Sequence, residues 1–176
     1  WLLKHKIWQV YGVTTYRKEK STSYIKTRIK GDKVRREKKY KIGYTDGVYD
    51  LFHVGHLNML QTASMYCDYL IVGVHGDAVV EEYKNRKPIV NENDRRRIIE
   101  SIKGVDRAEI TRFRDKLKLW ELYHFDAVFI GDDWKGTERW VKYEKALGDI
   151  GVDVIYVPYT KGISTTKIRE KIAEGK

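Results

Sequence analysis

One cysteine, Cys67, is all that the 176 residues contain, so no disulfide can close within the chain. Set beside Met65 and Tyr66 in a helical pattern, its thiol reads as a small buried hydrophobe, and a chain without disulfides is expected in the cytoplasm. Long apolar runs are absent too. A helix that crosses a bilayer needs about 20 apolar residues; the longest runs here, such as Tyr69 to Val74, fall far short, and no transmembrane helix is predicted. No methionine opens the chain, and Trp1-Leu2-Leu3-Lys4-His5-Lys6 is too short an apolar stretch for a secretory signal. The numbering is therefore expected to begin inside a longer polypeptide with an upstream domain. Internal repeats and low-complexity tracts are missing as well.

Positive charge is abundant but unevenly placed. Of the 35 Lys and Arg residues, 14 fall within residues 1–41, against 3 of the 25 acidic residues. The net charge of +10 thus belongs to the N-terminal segment, and the remaining 21 basic and 22 acidic residues nearly cancel. Such a segment fits a solvated linker equally with a contact to nucleic acid, an acidic polymer or an anionic membrane face, which would place the protein at the membrane periphery. Ile7 to Tyr16 and Ser23 to Ile29 alternate weakly around Arg17-Lys18-Glu19-Lys20, a pattern compatible with a hairpin, and Gly31-Asp32 opens a charged linker through Lys39. Residues 1–39 are read as a small basic appendage. Residues 40–176 are the one full domain that a chain of this length can bury.

From Tyr40 onward short apolar strands alternate with amphipathic helical stretches. The pattern predicts strands near 40–45, 69–75, 106–110, 126–130 and 152–157, and helices near 54–66, 92–103, 114–124, 137–148 and 164–173. This is the signature of an α/β, Rossmann-like parallel sheet with helices on both faces. Ligands of such sheets bind at the carboxyl ends of the strands, which directs attention to the loops at 46–56, 131–136 and 158–166.

The first of these loops reads Asp46-Gly47-Val48-Tyr49-Asp50-Leu51-Phe52-His53-Val54-Gly55-His56 and runs into a helix. Gly47 lets the backbone approach a ligand, free N–H groups at the helix start attract anions, and His53 and His56 can donate hydrogen bonds to phosphoryl oxygens from one side. Helix capping is the plainer role for either histidine. Zinc is not expected, because His-x-x-His lacks a third ligand nearby. In the last loop, Gly162-Ile163-Ser164-Thr165-Thr166 places hydroxyls and backbone N–H groups at the start of the final helix. Across one sheet edge, the two motifs form two walls around the same phosphates.

Together, His53-Val54-Gly55-His56 and Gly162-Ile163-Ser164-Thr165-Thr166 resemble the cytidylyltransferase family over residues 40–176. The segment Gly131-Asp132-Asp133-Trp134-Lys135-Gly136 is similar to the branch that acts on glycerol-3-phosphate. Tyr44 to Phe52 and Asn91-Glu92-Asn93 look more like the choline-phosphate branch. The resemblance implies transfer of CMP from CTP to an alkyl phosphate, glycerol-3-phosphate first, to give CDP-glycerol and pyrophosphate. Choline-phosphate, ethanolamine-phosphate and adenylyl transfer are its alternatives, and a basic polyanion-binding module on a decayed scaffold is the non-enzymatic one.

The resemblance also implies roles. His53, His56, Lys84 and Arg86 are the expected catalytic residues. Gly47, Val48, Tyr49, Lys103, Asp133, Tyr159, Thr160, Gly162, Ile163, Ser164, Thr165 and Thr166 join His53, His56 and Arg86 around the nucleotide. Asp50, Lys84, Lys116 and Trp134 are expected at the second substrate. Mg²⁺ or another divalent cation accompanies CTP, held by its phosphates rather than by protein ligands, and a homodimer serving a cell-surface polymer is the implied setting. One departure stands out. Where the family carries Arg-Thr-Glu-Gly before Ile-Ser-Thr, this chain has Tyr159-Thr160-Lys161-Gly162, and a lysine cannot reproduce a guanidinium's two-point contact.

Overall fold

The computed structural model describes residues 14–16, 27–28, 35–36 and 38–175. Three short strands come first: β1 (Thr14–Tyr16), β2 (Thr27–Arg28) and β3 (Arg35–Arg36). Then follow β4 (Tyr40–Gly47), α1 (Val54–Tyr66), β5 (Cys67–His75), α2 (Asp77–Lys84), α3 (Glu92–Glu100), β6 (Arg107–Thr111), α4 (Lys116–Tyr123), β7 (Ala127–Gly131), α5 (Glu138–Asp149), β8 (Asp153–Val157) and α6 (Thr165–Ala173). A 3₁₀ turn at Asp132–Trp134 follows β7.

Five strands run parallel in the order β8-β7-β4-β5-β6, and β1 adds an antiparallel edge on β8, with Thr14 opposite Tyr156. Without β1, among the described residues β8 would offer an unpaired edge. The hairpin expected between 7–16 and 23–29 is not what their described residues form: Thr14–Tyr16 joins β8, and Thr27–Arg28 pairs with Arg35–Arg36. The rest of that expectation lies outside the described residues.

The inner parallel strands are largely buried on both faces, so successive side chains enter opposite cores, while the edge strand β6 exposes Arg107. Val72, Val74, Phe129, Ile155 and Val157 meet Leu60 and Ala63 of α1 and Ile99 of α3 on one face. Tyr44, Ile71, Val128, Val154 and Tyr156 meet Leu119 of α4 and Trp140 and Leu147 of α5 on the other. Tyr44 stacks on Phe125 with ring centroids 4.9 Å apart. Cys67 is the first residue of β5, not part of the helix, and its buried Sγ donates to the Ala63 carbonyl.

Helix α2 is an element that the sequence pattern does not announce. Helix α3 ends at Glu100, short of the expected 103, because the chain turns through Gly104 at φ +95°, where an added Cβ would meet the Ser64 side chain. Strand order reverses beside β4, whose neighbours β5 and β7 are reached by connections in opposite directions, so a crevice opens at the carboxyl ends of β4 and β7. Among the described residues no helix is long and apolar enough to cross a membrane.

Candidate active site

The loop leaving β4 is held in an unusual shape. Tyr49 (φ 55°) and Leu51 (φ 48°) both adopt left-handed backbone, a costly state for non-glycine residues that persists only where surroundings impose it. One such constraint is Arg95 of α3, fully buried, whose guanidinium donates to the Val48, His75 and Val90 carbonyls and pairs with Asp77. A second is Asp50, buried, whose carboxylate accepts the N–H groups of Ile89 (3.0 Å) and Val90 (3.0 Å) and binds Arg169 of α6 at 2.6 Å. Burial opposes the charge of Asp50, and those backbone and arginine donors outweigh it, leaving its pKa lowered.

The loop then enters α1 through a reciprocal cap. His53 Nδ1 accepts the Gly55 N–H at 3.1 Å, and His56 Nδ1 accepts the His53 N–H at 3.4 Å, with the two rings stacked 3.9 Å apart. An Nδ1 that accepts leaves the proton on Nε2. Burial lowers the pKa of His53, and burial together with His53 and the nearby Lys84 pushes His56 down to about 3. Both rings are therefore neutral donors at Nε2. Capping and donation are not rival roles here: the cap fixes the tautomer that makes the donor. Gly55 is required beneath them, since a Cβ there would come within 2.9 Å of the His53 ring.

The second wall is stitched to the first. Thr165 Oγ1 donates to the Asp50 carbonyl (3.0 Å), Asn58 of α1 donates to Thr160 Oγ1 (3.1 Å), and Ser164 caps α6 by accepting the Lys167 N–H. Gly162 turns at φ +90°, with Ile163 behind it accepting the Tyr159 hydroxyl at 3.2 Å. Thr166 is exposed in the first turn of α6. Tyr159 is half exposed and its N–H is fixed by Asp132. Between the walls lies a cleft lined by Val48, Lys84, Arg86, Thr165 and Arg169.

A cavity of about 250 Å³ adjoins that cleft, sharing Val48 and Lys84 with it. Asp46, Gly47, His75, Tyr83, Arg114, Lys116, Trp134, Arg139 and Trp140 line it. Lys116 is buried and bonds Asp46 at 2.7 Å, while His75 Nε2 lies 3.3 Å from the same carboxylate. Burial alone would raise the Asp46 pKa; Lys116 and His75 overcome it and hold the group well below the usual carboxylate range. The Lys84 pKa is also lowered, by desolvation and by Arg86 and Arg114, which for an amine disfavours the charged form. Asp133 folds its carboxylate back over Gly131, where a Cβ would meet it at 2.3 Å, and its pKa is raised by desolvation and by Asp132.

The structure thus brings Gly47, Val48, Lys84, Arg86, Lys116, Trp134 and Thr165 to the cleft and cavity, whereas His53 and His56 cap α1 near Lys84 and the Tyr49 side chain is buried in the core. It corrects two expectations. Lys103 lies exposed on the turn after α3, at the amino ends of the strands, because the helix carries the chain to the opposite edge of the sheet. Asp50 does not offer its carboxylate to a second substrate; its oxygens clamp Ile89, Val90 and Arg169. Lys116 reaches the cavity wall with its ammonium already on Asp46. Sequence reading passed over Arg95, His75, Tyr83, Arg114, Arg139 and Arg169. For Arg95 a signal existed: it shares a helical face with Ile99, four residues on, whereas Arg96 and Arg97 do not.

Comparison with known proteins agrees with this geometry. Residues 44–171 match the family described as cytidylyltransferase-like. The glycerol-3-phosphate cytidylyltransferase of Bacillus subtilis (strain 168) is 35% identical over 130 residues, covering 73% of this chain and 95% of that protein. The ethanolamine-phosphate cytidylyltransferase of Dictyostelium discoideum is 37% identical over 140 residues, 77% of this chain, and the bifunctional protein HldE of Koribacter versatilis (strain Ellin345) is 36% identical over 132 residues, 74% of this chain. The matched part spans only 39% and 27% of those two proteins. Among solved structures, the lipopolysaccharide core biosynthesis protein of Thermoplasma volcanium GSS1 superposes with a TM-score of 0.59 at 27% identity, over 70% of this chain and 99% of that one. The matched residues run from β4 through α6 and contain both phosphate-directed walls, and the chain belongs to the cytidylyltransferase-like family of nucleotidyltransferases.

Proposed function

We propose that this chain transfers CMP from CTP to the phosphate of a small alkyl phosphate, with glycerol-3-phosphate favoured over phosphocholine and phosphoethanolamine. The observation that carries the reading is the junction of two sites at Val48 and Lys84: a cleft lined by Arg86, Thr165 and Arg169, and a cavity whose wall carries Lys84, Arg114, Lys116 and Arg139 against the single carboxylate of Asp46. Such a wall attracts a phosphate monoester and repels a quaternary ammonium. An aromatic cage for choline, drawn from Trp134, Trp140 and Tyr143, is disfavoured further: Tyr143 does not line the cavity, and Lys116 Nζ sits 5.9 Å from the Trp140 ring centroid.

In the proposed reaction an oxygen of the acceptor phosphate attacks the α-phosphorus of CTP. A new P–O bond forms, the bond from the α-phosphorus to its bridging oxygen breaks, and pyrophosphate leaves with the electron pair. The nucleophile is already an anion, so no base is needed. Catalysis consists of aligning two anions and stabilising charge on the reacting phosphorus and the leaving group. His53 and His56 serve as neutral Nε2–H donors to phosphoryl oxygens, and Lys84 and Arg86 supply positive charge above them. Gly47, Val48, Tyr49, Asp133 and the 159–166 loop are assigned to the nucleotide, and Trp134, on the cavity wall, to the acceptor. A divalent cation would supply charge neutralisation on the phosphates. The ion enters as part of the substrate, on the triphosphate.

A pyrophosphate-release assay with CTP or ATP, against each of the three acceptors, tests the reading. Turnover with CTP and glycerol-3-phosphate is expected. His56→Ala is expected to lower kcat by roughly 10²–10³-fold, the cost of one transition-state donor. Near-wild-type turnover in that variant, or equal use of ATP, would overturn the assignment. Salt-sensitive binding of an acidic polymer by residues 1–41 without pyrophosphate release would favour the binding-module reading instead.

A further inference from the structure

We propose that Arg114 and Arg139 form a second anion subsite in the cavity, so that the preferred acceptor is a phosphate ester carrying a further acidic group, a carboxylate or a second phosphate. The inference rests on the cytidylyl-transfer reading and narrows its substrate class.

The two arginines are brought together by α5 packing beside the loop that precedes α4: Arg139 Nη2 donates to the Arg114 carbonyl at 3.0 Å. Each guanidinium is half-buried and flanked by an aromatic ring, Arg114 3.7 Å from the centroid of Tyr83 and Arg139 5.5 Å from that of Tyr143. Neither meets a carboxylate among the described residues. That is unlike the cavity's other deep cation, Lys116, which Asp46 neutralises at 2.7 Å. Desolvation and the positive charge of Arg139 both lower the Arg114 pKa, so the two guanidiniums feel one another across this partly desolvated wall and an anion between them would relieve that repulsion.

Position distinguishes this pair from the charges used on the reacting phosphates. Lys84 lines both the cavity and the cleft between the two loops, whereas Arg114 and Arg139 line the cavity alone. An acceptor whose phosphate sits at the Lys84 junction therefore presents its remaining atoms to the arginine pair. The two hydroxyls of glycerol-3-phosphate answer those guanidiniums only as neutral acceptors. A carboxylate or phosphate answers them with charge-assisted, two-point hydrogen bonds.

The experiment compares kcat/KM for glycerol-3-phosphate, 3-phosphoglycerate, glycerol 1,3-bisphosphate and phosphoethanolamine in the full chain with CTP and magnesium. One of the two doubly acidic acceptors is expected to exceed glycerol-3-phosphate by roughly tenfold or more, as one added charged hydrogen bond supplies; which one does so identifies the second group. In Arg139→Gln and in Arg114→Gln that ratio is expected to fall toward one. A wild-type ratio at or below one overturns the subsite while leaving cytidylyl transfer intact, and a ratio unchanged in both variants overturns its assignment to these arginines. If no acceptor elicits pyrophosphate from CTP, the transfer reading itself fails. Calorimetric titration of nucleotide-free protein with 3-phosphoglycerate and with glycerol 1,3-bisphosphate then decides the subsite: binding weakened about tenfold in Arg139→Gln supports it, and equal or absent binding overturns it.

Discussion

Replacing Lys116 with methionine removes the ammonium from a buried ion pair while keeping most of the side-chain volume. Lys116 and Asp46 have side chains only 4% exposed, and their charged atoms lie 2.7 Å apart. Breaking such a pair from one side leaves a buried, incompletely compensated carboxylate, which costs about 3–5 kcal/mol. The sign of the pH dependence follows from the two protonation equilibria. In the wild type the folded pKa of Asp46 lies below its unfolded value, so its contribution is present above the ordinary carboxylate range and is lost only as pH falls through the depressed value. Without Lys116, burial dominates and the folded pKa rises above the unfolded one. The variant's deficit should then shrink as pH falls from about 7 to about 5, because a protonated Asp46 needs no partner. Urea titrations followed by tryptophan fluorescence at both pH values measure it. A deficit below ~1 kcal/mol at neutral pH, or one that grows on acidification, would contradict the reasoning.

Gly55→Ala should keep the far-ultraviolet circular dichroism of the wild type yet lose most turnover, because the new methyl displaces the His53 ring that it would meet at 2.9 Å; unchanged kcat would show that ring placement is irrelevant. Since His56 is held neutral down to about pH 3, kcat should show no acid limb near the ordinary histidine value of about 6.5 that is lost in His56→Ala. A pH–rate profile with such a limb would contradict the neutral-donor assignment. Arg95→Met should destabilise the chain by about 3 kcal/mol or more, since the Val48, His75 and Val90 carbonyls and Asp77 lose a buried donor at once. A urea midpoint close to that of the wild type would refute this.

The parallel sheet was legible because the inner strands 69–75, 126–130 and 152–157 read as apolar runs, and helices such as α3 and α5 carry clear stripes. Helix α2 was not, since only Val79 and Val80 of its eight residues are buried and no side chain caps its start. The two loops at 46–56 and 158–166 were legible because each is contiguous in sequence and sits where a strand ends and a helix begins. The cavity was not. Arg114 and Arg139 stand 25 positions apart in sequence, and their meeting depends on how α5 lies beside the loop before α4, which no local pattern encodes. Lys103 shows the converse error: a position that aligns with a family residue is carried to the far edge of the sheet by the helix in front of it.

Helix α6 buries no residue of its own, and Arg169 and Thr165 anchor it to Asp50. Sequence separations of 119 and 115 make these among the last contacts available to a growing chain, so the second wall closes after the sheet is complete. Local opening of α6 forfeits hydrogen bonds but little apolar contact, which places its amides among the fastest to exchange with solvent. On the proposed reading the nucleotide would meet a wall that is weakly anchored to the sheet, and its affinity would be linked to how firmly α6 docks.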